Sequence, residues 1–303
     1  MIRFVTGKIG AVLVTLYLAL TGAFLLGRLS GDPVANILGP FATEEQADAL
    51  RHTLGLDRPL LVQYFDYLTS TAVGDLGDSL QFYQPNLGMI FDRLPYTLQL
   101  LGAGMTVAVI VGVPLGILAA TREGGVWDRT ASALAVLGQS VPVFWLGMML
   151  VAVFAVQAGL LPAGQAGGWR NLVLPALTMA MYPMAHIARL TRSAMAEVLR
   201  EPYIAAVRAR GLAGWRVVFV HALRNASPPV LTVVALQTGM LLSGAVAVEY
   251  VYSWPGLGSL ALQAIQFRDF PLVQAIVVVG AVSFVVINLI ADLLYAVVDP
   301  RLR

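Results

Sequence analysis

Cysteine is absent from the 303-residue chain, which excludes disulfides, thiol catalysis and thiolate metal sites. Lysine occurs once, at Lys8. A phosphate-cradling loop needs Gly-x-x-x-x-Gly-Lys-Ser/Thr, and Lys8 lacks that context, so the chain cannot hydrolyse ATP alone. Histidine is scarce too: His186 has no second ligand at suitable spacing, and it is expected to end a span at the membrane interface rather than bind a metal. Gly138-Gln-Ser-Val-Pro142 begins like a nucleophile elbow but has proline where the second glycine belongs, and no histidine is placed to serve Ser140. Charge itself is sparse, at 12% of residues against 58% hydrophobic and a mean hydropathy of +0.78. That balance belongs to a protein dissolved in a bilayer.

What the sequence does have is long apolar runs. Arg3 and Lys8 precede the first, from Ile9 to about Leu26. A cleavable signal peptide has an apolar region of only about 7 to 15 residues with a small-residue cleavage site, so this longer run reads as a retained first helix. Five more follow: about Tyr96 to Ala120, Ala131 to Val156, Leu172 to Leu190, Pro229 to Val248 and Leu272 to Val298. Each is near the roughly twenty residues a spanning helix needs, and the expectation is an all-α membrane protein with six transmembrane helices. Basic residues in the short connections set the orientation. Arg122 and Arg129 lie in one connection, Arg189, Arg192, Arg200, Arg208, Arg210, Arg216 and Arg224 in another, and Arg301 and Arg303 at the end. The alternate loops hold Arg170 and Arg268 singly. Both termini and the arginine-rich loop are therefore expected in the cytoplasm.

Residues 30–94 are expected to form an extracytoplasmic helical insert, with nine Asp/Glu against three Lys/Arg. Thr43 with Gln46 makes a capping box, Ala47, Leu50 and Leu54 follow on one face, and Gly55-Leu56 stops the helix. A second helix starts at Pro59, with Leu60, Leu61, Tyr64, Phe65 and Leu68 as its buried stripe. A structural cap over the membrane part and a substrate-reading domain both fit this insert.

Within the spans, Pro114, Pro142, Pro175 and Pro183 imply kinked helices able to rearrange. Gln99, Gln139, Ser140, Gln237, Ser243 and Asn288 are polar where lipid-facing positions should be apolar, so they should face the bundle interior or a wet pathway. Plain interhelix hydrogen bonding explains any one of them, and a translocation pathway explains the set. Glu249 closes the fifth span ahead of Tyr250-Val-Tyr-Ser-Trp-Pro-Gly-Leu-Gly258. Its aromatics, Trp254 among them, fit an interfacial belt. The functional alternative is an outer gate, in which Gly256 and Gly258 allow a tight re-entry and a short helix reaching Phe267 lines or plugs the mouth.

The longest polar interval of the second half runs from Glu197 to Asn225. Pro202 suits a first helical turn, and Gly211-Leu212 reads as a left-handed stop. Trp215, Val218, Phe219, Ala222 and Leu223 recur at helical spacing, giving a second short amphipathic helix that ends near Asn225, ahead of Pro228 and Pro229. About ten residues at ~1.5 Å each cannot cross a core of about 30 Å, so these helices lie outside the membrane. A lipid-facing linker is one reading. The other is a docking knob, since small residues around a glycine admit close approach and arginine forks suit carboxylates and carbonyls on a protein.

Tyr203, Ile204, Ala206, Ala209, Gly211 and Leu212, followed by His221-Ala-Leu-Arg-Asn225, resemble the coupling segment of permease subunits of ABC importers, in the dipeptide/oligopeptide/nickel group. Ala205-Ala206-Val207 stands where the general importer motif starts Glu-Ala-Ala. Gly31-Asp32-Pro33, Leu54-Gly-Leu-Asp-Arg-Pro59, Gly74-Asp-Leu-Gly-Asp-Ser79, Glu249 with Ser253-Trp-Pro-Gly-Leu-Gly258, Asp292 and Asp299-Pro300-Arg301 extend the likeness along the chain. The resemblance implies a type I ABC importer transmembrane fold in a bacterial inner membrane. It divides the chain into a first helix (1–29), the insert (30–94), a permease core (95–298) containing the coupling loop (192–227), and a tail (299–303). It implies a second homologous permease subunit, two cytoplasmic ATPase subunits and an extracytoplasmic substrate-binding protein. No cofactor is expected on this chain, ATP and magnesium belong to the ATPases, and no nucleic acid is involved. It further implies that Tyr203, Ala205, Ala206, Arg208, Ala209, Arg210, Gly211, Leu212, His221, Arg224 and Asn225 meet the ATPases. Peptide is the expected cargo, with glutathione, a nickel chelate or a sugar as alternatives. A secondary carrier or channel would favour internal repeats and deep charged groups, and an intramembrane enzyme would need paired acids, a Ser/His set or a metal cluster. Neither pattern stands out.

Overall fold

The computed structural model describes residues 2–29, 34, 38, 43–53 and 55–298, which leaves Leu54, Gly31-Asp32-Pro33 and the tail from Asp299 outside the described residues. In chain order the helices are α1 (Ile2–Leu29), α2 (Glu44–Thr53), α3 (Leu60–Ala72), α4 (Asn86–Thr121), α5 (Val126–Ser140) and α6 (Val143–Leu150). They continue with α7 (Trp169–Leu199), α8 (Pro202–Ala209), α9 (Gly214–Val251), α10 (Leu257–Gln266) and α11 (Phe270–Val298). Among the described residues there is no strand, only an isolated antiparallel bridge between Asp78 and Pro85. α4, α9 and Phe270–Ile290 of α11 are long and apolar enough to cross a membrane, and the apolar part of α1, Val12–Arg28, is shorter.

The helices sort into two compact units, one from residues up to Pro95 with Gly256–Val285, the other from Tyr96–Pro255 with the remainder of α11. In the first unit the capping box forms: Thr43 N–H donates to Gln46 Oε1 at 3.2 Å, and Gln46 N–H to Thr43 Oγ1 at 3.3 Å. α2 ends at Gly55, whose φ of +64° lets Leu56 N–H reach Arg51 O at 2.8 Å. The expected buried stripe of α3 is corrected in part. Leu60, Leu61 and Phe65 are exposed, Tyr64 and Leu68 are half-buried, and Gln63 and Tyr67, outside the expected stripe, turn inward. Gln63 is buried because its amide donates to Leu56 O (3.2 Å) and Arg58 O (2.6 Å), closing the turn before the helix. A knot the sequence does not announce sits between α3 and α4. The buried carboxylate of Asp269 accepts Ser79 Oγ at 2.5 Å, Gln81 N at 3.2 Å and, at the start of α11, Leu272 N at 3.3 Å.

In the second unit α4 and α7 run parallel with glycine at the contact. A Cβ on Gly104 would stand 2.7 Å from Met179 Cβ, and one on Gly116 would stand 2.6 Å from Ala188 O. Small residues let helices in a bilayer approach this closely. α5 packs antiparallel on α7, with Gly138 facing Ala185 and Met181. The run from Ala131 to Val156, expected as one span, is broken: α5 and the helix from Val143 meet at 109°. Val141 is extended (φ −86°, ψ 124°) ahead of Pro142, because a residue before proline is pushed out of the helical region. After Leu150 the chain widens into a π-helix over Val151–Gln157. α7, which holds the expected span Leu172–Leu190, is 31 residues long, and Pro175, Pro183, His186 and Arg189 dilute its apolar character.

The seam between α4 and α7 leaves no room for a methyl group at Gly116. Gly116→Ala is expected to lower the stability of the detergent-solubilised chain by about 1–3 kcal/mol, the usual range for overpacking. Gly244→Ala, where a Cβ meets nothing within 4 Å, is the control. Thermal unfolding followed by circular dichroism checks the pair.

Candidate coupling surface and a buried elbow

α8 is a short helix held on the second unit chiefly by Ile204, with Val207 packed beside it. Pro202 occupies its first position, where a missing N–H costs nothing. Ile204, with 0% of its surface exposed, enters an apolar cluster of Ile117, Ala120, Met195, Val217, Ala222 and Ala226. Burying an isoleucine contributes about 1.5–3 kcal/mol. Gly211, at φ +77°, ends the helix with its N–H on Arg208 O at 2.9 Å, and Leu212 packs back on the same cluster. Ala205, Ala206, Arg208, Ala209 and Arg210 are left exposed on the outer side.

The second half of the loop is tied to the first by polar contacts. Asn225 Nδ2 donates to Tyr203 Oη at 2.6 Å and to His221 O at 3.2 Å, and Tyr203 Oη is 3.4 Å from the same His221 carbonyl. Tyr203, His221 and Asn225, far apart in sequence, therefore form one cluster. The expected stop near Asn225 is corrected: no helix ends there. α9 runs from Gly214 to Val251 and widens into a π-turn over Val217–Ala222. Proline at 228 removes the donor that Arg224 O would receive in an α-helix, and Ser227 Oγ supplies it at 2.9 Å. At Pro228 a hydroxyl thus replaces the lost bond, and the helix continues through Pro229. The Arg224 side chain is exposed.

Two ion pairs brace this region. Arg192 donates to both carboxylate oxygens of Asp128, at 2.5 and 3.0 Å, and Arg200 to those of Glu123, at 2.8 and 2.9 Å. The hydrogen bond from Arg192 holds the Asp128 carboxyl below its ordinary value, and the same bond raises the Arg192 guanidinium. Sequence reasoning weighed the arginines here and missed both acids. Asp128 lies 64 residues from its partner, and no local pattern marks such a pair.

At the far end of α9 the chain makes a buried elbow. Glu249, 0% exposed, accepts Thr97 Oγ1 at 2.6 Å. Trp254 N–H returns to Glu249 O at 2.8 Å, and its indole N–H donates to Tyr96 O at 2.9 Å. Tyr252 Oη meets Thr178 Oγ1 at 2.8 Å and donates to Gly147 O at 3.2 Å. The interfacial-belt expectation is corrected for Tyr252 and Trp254, which are core residues; Tyr250 alone is exposed. The tight turn does not use Gly256 or Gly258 in left-handed geometry. Ser253, at φ +50°, takes that conformation, and Gly256 is the extended residue preceding α10.

The other polar span residues scatter. Gln237 is buried, Gln139 and Asn288 are half-buried, and Gln99, Ser140 and Ser243 lie on the outside of the chain. These last three are thus not packed in this chain's own interior. Gln139 and Ser140 line, with Ser132, Arg189 and Arg192, a cavity of about 340 Å³ between α5 and α7. His186 packs at a tilt against Tyr182, with ring centroids 4.7 Å apart, and no cluster of three metal-ligating side chains occurs among the described residues.

Long apolar helices with a short helix seated against them give a helical membrane protein. The family described as binding-protein-dependent transport system inner membrane component matches residues 112–303, and its N-terminal counterpart matches residues 1–101. The chain belongs to this family. It is 39% identical over 338 aligned residues to the dipeptide transport system permease protein DppB of Escherichia coli strain K12, covering 100% of this chain and 99% of that one. It is also 39% identical, over 304 residues and with the same coverage, to the glutathione transport system permease protein GsiC of the same strain. The fold matches a chain of the MetNI methionine ABC transporter in an inward-facing conformation, with a TM-score of 0.59 and 20% identity, over 70% of this chain and 96% of that chain.

Tyr203 gives the loop its cross-link without filling its core. Tyr203→Phe is expected to leave the melting temperature within a few degrees of the parent, since the net worth of such a hydrogen bond is about 0.5–1.5 kcal/mol. Amide hydrogen exchange in residues 214–225 is expected to rise, and unchanged exchange there would remove the proposed tie.

Proposed function

We propose that the chain is one of two permease subunits of an ATP-driven importer, forming half of the pathway for short peptides. Its six spans place both termini and the coupling loop in the cytoplasm and residues 30–94 outside. Two ATPase subunits dock on the two coupling loops, and an external binding protein delivers cargo. ATP and magnesium act on those ATPases and not on this chain. The observation that carries the reading is the seat of α8: an isoleucine-anchored helix whose small and basic residues are exposed on the outer side. Family membership supports the dependence on a binding protein. Dipeptide, di/tripeptide and glutathione permeases among the relatives support a cargo of two or three amino acids.

In this mechanism ATP binding closes the ATPases and moves α8 as a rigid lever. The apolar cluster passes that motion to α4, α7 and α9, and the break at Pro142 and the π-turns give helices that rearrange in discrete steps. Glu249 and Trp254 hold the outer elbow, while Gln99, Gln139, Ser140, Gln237 and Ser243 supply the polar lining of the pathway. Gly256 gives the chain its extended entry into the outer helix α10.

Valine at position 211 would be held at a φ of +77°, which costs a β-branched residue at least the ~1–2 kcal/mol of the left-handed region. Its Cβ would nevertheless meet no neighbour. Gly211→Val is therefore expected to keep the membrane bundle folded while sharply reducing both ATPase co-purification and peptide uptake. Retention and uptake equal to the parent would contradict the docking role.

A further inference from the structure

The acidic insert carries an amphipathic helix rotated from its sequence pattern, so that only Tyr64 of the expected stripe meets α1. α3 directs Tyr64 and Tyr67 onto α1: Tyr64 Oη is 2.7 Å from Thr21 Oγ1, and Phe24 meets the two rings at 5.2 and 5.7 Å. The leucines and phenylalanine thereby lose their place in the core. Leu61 is 72% exposed and Phe65 62%, and at 100° per residue they share a stripe with Leu68 and Ala72. Asp66, paired with Arg58 at 3.2 Å, lies on another side of the helix.

The contact with α1 fixes the depth of that stripe. Thr21 lies inside the apolar stretch Val12–Arg28, seven residues before its end, which is about 10 Å along a helix. Arg28 sits over the Phe24 ring at 5.4 Å from its centroid, as a cation at the headgroup level does when its stem lies along apolar surface. An interfacial helix sinks its apolar face about 5–10 Å into the boundary of headgroups and acyl chains. α3 is packed at that level, and its bare stripe adjoins the lipid-facing side of α1, where Leu18 and Leu25 are exposed.

We infer that α3 is a membrane-surface helix, with Leu61, Phe65 and Leu68 seated in the outer-leaflet lipid rather than facing the extracytoplasmic solution or a partner protein. This rests on the proposed reading of α1 as a span. It makes the insert a lipid-supported platform whose polar side faces outward.

The chain has no cysteine, so nitroxide labels can be placed singly. The full chain in lipid nanodiscs would carry Leu61→Cys, Phe65→Cys, Asp66→Cys or Leu18→Cys, and power saturation would compare collision with oxygen and with a water-soluble nickel chelate. Labels at 61 and 65 are expected to match the one at 18, with an oxygen-to-nickel ratio several-fold above that at 66. Ratios at 61 and 65 equal to that at 66, with position 18 still lipid-like, would overturn the proposal. So would shielding from both reagents, or shielding that arises when the binding protein is added, either of which would assign the stripe to a protein partner. A water-like reading at position 18 would instead overturn the span itself, and the proposal with it.

Discussion

The coupling loop depends on the burial of Ile204. A helix of eight residues is too short to persist in water on its own propensity, so α8 relies on packing against α4, α7 and α9, with Ile204 fully buried and Val207 beside it. Everything asked of the loop follows from that seat. The same cluster that stabilises α8 connects it to three long helices, so a force on its outer face reaches them through packed atoms. Its outer face is free to be small and basic because the inner face already supplies the stability.

The bundle behind the seat is stiff where contacts are close and broken where proline intervenes. Glycine at 104, 112 and 116 presses α4 onto α7. The Asp128–Arg192 pair fastens the start of α5 to the same helix, while Pro142 turns the chain at the other end of α5. At the opposite end of α9, Glu249, Tyr252 and Trp254 lock the elbow through hydrogen bonds to Thr97, Thr178, Gly147 and Tyr96. The seat of α8 at one end and the hydrogen-bonded corner at the other are the two places that the proposed alternation would use.

Much of this was legible in the sequence because it is governed by local chemistry. The capping box at Thr43, the left-handed stop at Gly211 and the proline at the start of α8 each follow from neighbours within four residues. What failed depended on distant partners or on which of several nearby residues takes a contact or a turn. Periodicity reports which residues share a face and not what covers it, so the stripe of α3 reads as core in the sequence. Gln63 lies buried instead, its amide bonded to two backbone carbonyls. The stop before Pro228 was overridden by the hydroxyl of Ser227. Asp269, Asp128 and Glu123 escaped notice because their partners lie scores of residues away. Gly256 was credited with a turn that Ser253 makes, since glycine content signals freedom without showing where it is used. The seat of α8 was visible only in part: Ile204 could be named as a motif residue, but its burial against Met195 and Val217 required the fold.

The most direct test of the account is proximity at the outer face of α8. A benzophenone attached through Ala206→Cys, in the otherwise cysteine-free chain assembled with its transporter partners in a bilayer, would be photolysed with and without ATP. The account predicts one dominant adduct, to the ATPase subunit. An adduct to lipid, or none to any protein while transport remains intact, would contradict it.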